Sequence, residues 1–292
     1  MNVNLDCINC LVRQVVDVLK IIDITEKERI LYAQEMFQYI SRIDLTQPPP
    51  IVGRMIYSRI GEITRNADPY CAIKRKSNDL ALSIIPTARE NILNSLDPIK
   101  RAIQFSINGN QIDYGAVKSI NEDEIIHGIE MNMNTEISHN LLTKFKKDIE
   151  ISQKILFIGD NAGEIVFDML FIEQLPQEKI VFATRGRPII NDSTMEDAKY
   201  IGLDRLVQVI DTGDNTPGID LSRSSEEFLK EFKSADTIIL KGQGNFETVF
   251  DKPLGFYKRV ETPLYFFLKV KCQFVAEILN CNIGEAQSLR IQ

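Results

Sequence analysis

Residues 154–160, KILFIGD, gather four apolar side chains and then stop on glycine and aspartate. Four later stretches repeat that texture: KIVFATRG at 179–186, RLVQVIDTGD at 205–214, DTIILKGQG at 236–244 and LYFFLKVK at 264–271. A short run that is apolar on both faces is the pattern of a strand covered on both sides, and polar, helix-like segments separate these runs. The expected fold class is therefore α/β, a three-layer α/β/α domain on a mainly parallel sheet whose strands are joined by crossover helices.

Upstream the period changes. From Cys10 to about Arg101 apolar residues fall at helical spacing, as in LVRQVVDVLKII and ERILYAQEMFQYI. QPPP at 47–50 forces an extended break, and the prolines suit the first turn of a new helix. A second break precedes Asp68-Pro69-Tyr70, after which IKRKSNDLALSIIPTARENILNSL reads as one or two further helices. We expect an N-terminal all-helical domain over residues 1–104 and a catalytic α/β/α domain over 105–292, with GNQIDYG as a loop of the kind needed between domains and two helices leading from that segment into the first strand.

Composition excludes several function classes. With 292 residues, 44% hydrophobic and 26% charged, the chain can bury one or two ordinary cores. Its 34 Lys and Arg against 41 Asp and Glu give a net charge of −7, and no basic cluster offers a footprint for nucleic acid. No apolar run has the length of a membrane span, and MNVNLDCINC lacks the regions of a secretory signal, so a cytoplasmic location and no membrane partner are expected. Five cysteines are odd in number and too sparse for a disulfide scaffold. With His127 and His139 as the sole histidines and no tryptophan, chemistry is expected to rest on carboxylates, amides, Lys and Arg.

In an open parallel sheet the ligand site lies at the carboxyl ends of the strands. Four of the runs end there in polar residues and glycine: Gly159-Asp160-Asn161-Ala162-Gly163-Glu164, Thr184-Arg185-Gly186-Arg187 followed by Asn191-Asp192, Asp211-Thr212-Gly213-Asp214, and Lys241-Gly242-Gln243-Gly244-Asn245. Singly, each is ordinary turn or capping chemistry. Together, Asp160 and Asp192 supply hard oxygen ligands, Asn161 a neutral one, and Arg185 and Lys241 positive charge that suits phosphate. Carboxylates repel an anionic substrate unless a divalent cation stands between them, and a Mg²⁺- or Mn²⁺-type ion would polarise a phosphoryl group and activate water. GDNAGE lacks the spaced glycines of a dinucleotide fingerprint, and no P-loop is present. Ala162 stands where a haloacid-dehalogenase phosphatase needs its second Asp, which argues against a phosphoaspartyl route.

The order Cys7-x-x-Cys10, DPYCAIKRKSN, GNQIDYG, GDNAGE, TRGRPIINDST and KGQGNFE resembles the damage-control phosphatase family, and within it the prokaryotic subgroup with an amino-terminal cysteine pair. The likeness runs from about Cys7 to Gly284. It implies a helical domain on an α/β/α domain, and metal-dependent removal of phosphate from damaged or unwanted phosphometabolites. The implied cofactor is a divalent metal (Mn²⁺, Mg²⁺, Co²⁺ or Ni²⁺), and the implied partner is a small sugar phosphate, nucleotide or cofactor fragment. By motif the resemblance assigns metal binding to Asp160, Asn161 and Asp192 and phosphate binding to Lys241, which form the expected catalytic set.

Substrate contacts are expected from Asn245, by its place in the loop, and from Arg185, although either arginine of TRGRP can point to solvent. Asn78 is expected by resemblance to help close the site from the helical domain. Asp113, with Asn110, either reaches the cleft or builds a turn and cap. Cys7 and Cys10 have zinc-ligand spacing without a second pair, so packed thiols, a structural metal and a redox role all stay open. The alternative function class is a nucleotide- or metabolite-binding regulator without turnover, and phosphate release on adding a divalent metal separates the two.

Overall fold

The structure, a computed structural model, describes residues 1–109, 136–250 and 262–291. Its N-terminal part is helical: α1 (Leu5–Ile21), α2 (Glu26–Ile40), α3 (Pro49–Thr64), α4 (Cys71–Leu93) and α5 (Pro98–Asn108). Local chemistry sets the starts. Asn4 caps α1, Thr25 and Glu28 form a reciprocal capping box on α2, prolines open α3, and Asp97 caps α5. The stretch read as one or two helices is one, α4, with Pro86 inside it.

The remainder alternates: α6 (His139–Ile151), β1 (Ile155–Ile158), α7 (Glu164–Ile172), β2 (Ile180–Thr184), α8 (Met195–Ile201), β3 (Gln208–Asp211), α9 (Glu226–Ser234), β4 (Thr237–Lys241), α10 (Gly242–Val249), β5 (Leu264–Lys269), α11 (Gln273–Leu279) and β6 (Ala286–Ile291). The six strands form one sheet in the order β3-β2-β1-β4-β5-β6. All five expected strands are present and mutually parallel. β6 was not expected; it adds antiparallel to β5, with Leu289 opposite Phe266. Its sequence AQSLRI is half-buried at every position, so it lacks the two-sided apolar run that marks β1, β2, β4 and β5.

Alternation along the strands divides the core into layers. Phe157, Phe182, Ile239, Tyr265 and Phe267 pack on one face with α4 to α7, while Leu156, Ile158, Ile238, Leu240 and Phe266 pack on the other with Phe228 and Phe232 of α9 and Phe246 of α10. α7, with the sequence EIVFDMLFI, is buried at all nine residues, because it lies between the sheet and helices α4 and α5. Helices α1 to α3 close a third cluster around Val15, Val18, Val52 and Ile56, which Ile189 joins from the loop after β2. Residue 104, the expected domain boundary, falls inside α5, and α4 and α5 share the core beneath the sheet.

The strand order decides where a ligand fits. The chain runs from β1 outward through β2 and β3, then returns to lay β4 on the opposite side of β1. Crossovers therefore diverge above the carboxyl ends of β1 and β4, which opens a crevice at that point.

Candidate active site

Asp160 and Asn161 follow β1 directly, and Lys241 closes β4, so both expected motifs stand at this crevice. The loop after β2 folds back against them. Asn161 and Asp192 form an isolated antiparallel bridge; Ser193 N–H donates to the Asp160 carbonyl at 2.7 Å and Ala162 N–H to the Asn191 carbonyl at 2.8 Å. Asp192 is thereby fixed beside Asp160, although 32 residues separate them in sequence.

Arg185 lies between the two carboxylates. Its Nε donates to Asp192 Oδ2 at 2.7 Å, and an Nη stands 3.5 Å from Asp160 Oδ1. At 1% exposure it is one of the largest fully buried side chains, whereas Arg187 is exposed, so the two arginines of TRGRP have opposite surroundings. Among the described residues, neither Nη of Arg185 has a hydrogen-bond partner.

The electrostatics explain why these groups invite a cation. Burial, with the negative charges of Asp192 and Glu164 close by, pushes the Asp160 carboxyl up to about 8. Burial also raises Asp192, against the opposing pull of Arg185. A divalent ion reverses that penalty, since two carboxylates and an amide oxygen are a hard donor set of the kind Mg²⁺ and Mn²⁺ accept. Asp160, Asn161 and Asp192 therefore fit such an ion. Among the described residues no group of three or more His, Cys, Asp and Glu side chains is placed to hold a metal, so the set depends on its amide.

Two features hold the helix ends close. Gly242 opens α10 with φ +79°, and a Cβ there would lie 1.9 Å from Asp160 Oδ2, so glycine alone permits this approach. Asn78 on α4 accepts from Gly163 N–H at 2.7 Å and donates to Asp197 at 3.0 Å. Its amide is engaged at both ends and fully buried, which makes it a tie between α4, α7 and α8 rather than a group facing a substrate.

Lys241 differs from its expected setting. It is fully buried, and its Nζ meets Glu164 Oε1 at 2.6 Å, Asp168 Oδ1 at 2.9 Å and the Ser106 carbonyl at 3.0 Å. An ammonium has three N–H donors, so a phosphoryl oxygen would have to displace one of these acceptors. Asn245 is buried as well, donating to the Gly159 and Lys241 carbonyls, and its Oδ1 has no partner. Asp113 lies outside the described residues.

The exposed cation of the site is one that sequence reasoning missed. Lys271, two residues beyond β5, lowers the carboxyl values of both Asp160 and Asp192 by its charge, and its N–H is anchored on Gln243 of the KGQG loop at 2.8 Å. Its signal in the sequence is KVK at 269–271, the polar end of the fifth strand run. At the end of β3, Asp214 is engaged by Thr216 and Arg223 and stays below the usual carboxylate range. Cys7 is half-buried, Cys10 is exposed, and all five thiols are free.

Comparison with known proteins places the chain in a family. Residues 3–286 match the damage-control phosphatase ARMT1-like domain. An uncharacterized protein of Methanocaldococcus jannaschii is 36% identical, covering 96% of this chain and 92% of its own. A protein of Archaeoglobus fulgidus named damage-control phosphatase is 33% identical over 79% of this chain and 78% of its own. The crystal structure of a DUF89 family protein from Pyrococcus horikoshii superposes with a TM-score of 0.87 at 28% identity, over the whole of both chains. The chain belongs to the damage-control phosphatase family.

Proposed function

We propose that this protein is a divalent-metal-dependent phosphatase with a damage-control role, which hydrolyses small phosphometabolites such as sugar phosphates, nucleotides or cofactor fragments. The observation that carries the reading is the meeting of Asp160, Asn161 and Asp192 at the topological switch point, with a buried Arg185 between the carboxylates. The names of the archaeal relatives support the phosphatase class. A cation held by the three residues would polarise the phosphoryl group and activate water.

The chain's own groups do the rest. Lys271, exposed at the rim, attracts the phosphoryl oxygens and stabilises the negative density they gain during transfer. The first N–H groups of α10, whose N-terminus has no side-chain cap, add donors beside Asp160. Arg185 orients Asp192 and offsets the charge of the pair without reaching solvent.

A screen of the three substrate classes with Mn²⁺, Mg²⁺, Co²⁺ and Ni²⁺ tests the reading. Phosphate release from at least one class, abolished by EDTA and restored by metal, is the expected result. Ligand binding without release under every metal would instead favour a regulator.

A further inference from the structure

The side chains behind the site form a chain of contacts that the proposed chemistry does not use. Asn161 Nδ2 donates to Asp160 Oδ2 at 2.7 Å and to Glu164 Oε2 at 3.1 Å. The other Glu164 oxygen is 2.6 Å from Lys241 Nζ, and Lys241 is pinned in turn by Asp168 and the Ser106 carbonyl. Glu164 and Lys241 are both buried.

We propose that Glu164, locked by Lys241, is a positioning residue that holds the Asn161 amide with its oxygen, not its NH₂, available to the divalent cation. The inference rests on the metal reading above. An Asn amide turned over by 180° fills almost the same space, so its two ends are distinguished by hydrogen bonding alone. An NH₂ group offers a cation no lone pair, and an inverted Asn161 would withdraw the neutral ligand. Asp160 cannot fix the orientation by itself, because its carboxylate is also wanted by the cation. Glu164 is the acceptor that remains, and Lys241 holds its other oxygen at 2.6 Å.

The test is Mn²⁺ affinity, read by electron paramagnetic resonance titration of the whole chain, with melting temperature followed in parallel. Glu164→Gln keeps the shape, but Lys241 claims the new amide oxygen and turns the NH₂ end towards Asn161, donor against donor. Glu164→Ala removes the acceptor and introduces no donor. The expected order is therefore that E164Q weakens Mn²⁺ binding by roughly tenfold to a hundredfold and more than E164A does, although E164A harms packing more. Asp168→Asn, which alters the Lys241 cluster without touching Asn161, is the control and should stay within about threefold of wild type.

E164Q with wild-type affinity overturns the proposal, as does an equal loss in E164Q and D168N, or a loss that follows melting temperature. Should E164A fail to fold, the comparison of E164Q with D168N decides alone. Absence of Mn²⁺ binding by the wild-type chain would overturn the metal reading itself, and so is distinct from a failure confined to E164Q.

Discussion

At the scale of single residues, the site sorts charges by exposure. Asp160 and Asp192 are buried at a loop junction and contribute little apolar packing, so Asp160→Asn or Asp192→Asn is expected to abolish metal-dependent turnover with circular dichroism near wild type; melting temperature should stay near wild type in Asp160→Asn and fall in Asp192→Asn, which removes the charge paired with the buried Arg185. Lys271 is exposed and touches no described acceptor through its side chain, and Lys271→Ala should lower kcat/KM by roughly tenfold to a thousandfold with metal affinity nearly unchanged. Asp168 gives a pH signature. Burial, opposed by Lys241, leaves its carboxyl pushed up to about 6, above its unfolded value. Both states hold the proton in strong acid, so no cost arises there; the cost of ionising the folded group grows as pH rises from about 4 to about 6 and is complete above. Asp168→Asn does not titrate, so its stability relative to wild type should climb over that window by about 3 kcal/mol at most, as read from urea unfolding at successive pH values. A gap that is flat with pH would mean that Asp168 ionises in the folded chain as readily as in the unfolded one.

At the scale of elements, β1, β2, β4 and β5 were legible because their two-sided burial leaves an uninterrupted apolar run, and β3, whose Gln208 is exposed, from the apolar residues around it and its polar end. β6 was illegible for the opposite reason: an edge strand, half-buried throughout, has no such run. The Asp160-Asn161 pair proposed to hold the metal could be read locally, since the two are adjacent; the surroundings of Lys241 could not, since its partners Ser106, Glu164 and Asp168 come from α5 and α7. A lysine ending a strand looks the same in sequence whether it faces a crevice or a buried carboxylate. Helix α10 shows how closely an element can be tied to a site. Gly242→Ala drives a Cβ against Asp160 and strains a positive φ, so the helix or the carboxylate must move. A shift of about 1 Å at the reacting groups is expected to cost roughly a hundredfold in kcat, measured at saturating metal. An unchanged kcat would show that α10 can retreat without taking part in the chemistry.

At the scale of the whole molecule, two topological facts bring the site together: the strand order places the ends of β1 and β4 at the crevice, and the loop after β2 bonds back onto Asp160 while Ile189 docks it on α1 to α3. That loop joins the helical part to the sheet, so the residues proposed to hold the metal lie where the two meet. The central claim is that Asp160 supports a metal on which phosphate release depends. It is tested most directly by following phosphate release against added Mn²⁺ for the wild-type chain and Asp160→Asn in parallel, on a substrate the wild type accepts. The account predicts a saturable Mn²⁺ dependence for the wild type and a folded variant with no metal-dependent release. Release by the wild type that persists in EDTA, or an Asp160→Asn titration that overlays it, would contradict the account.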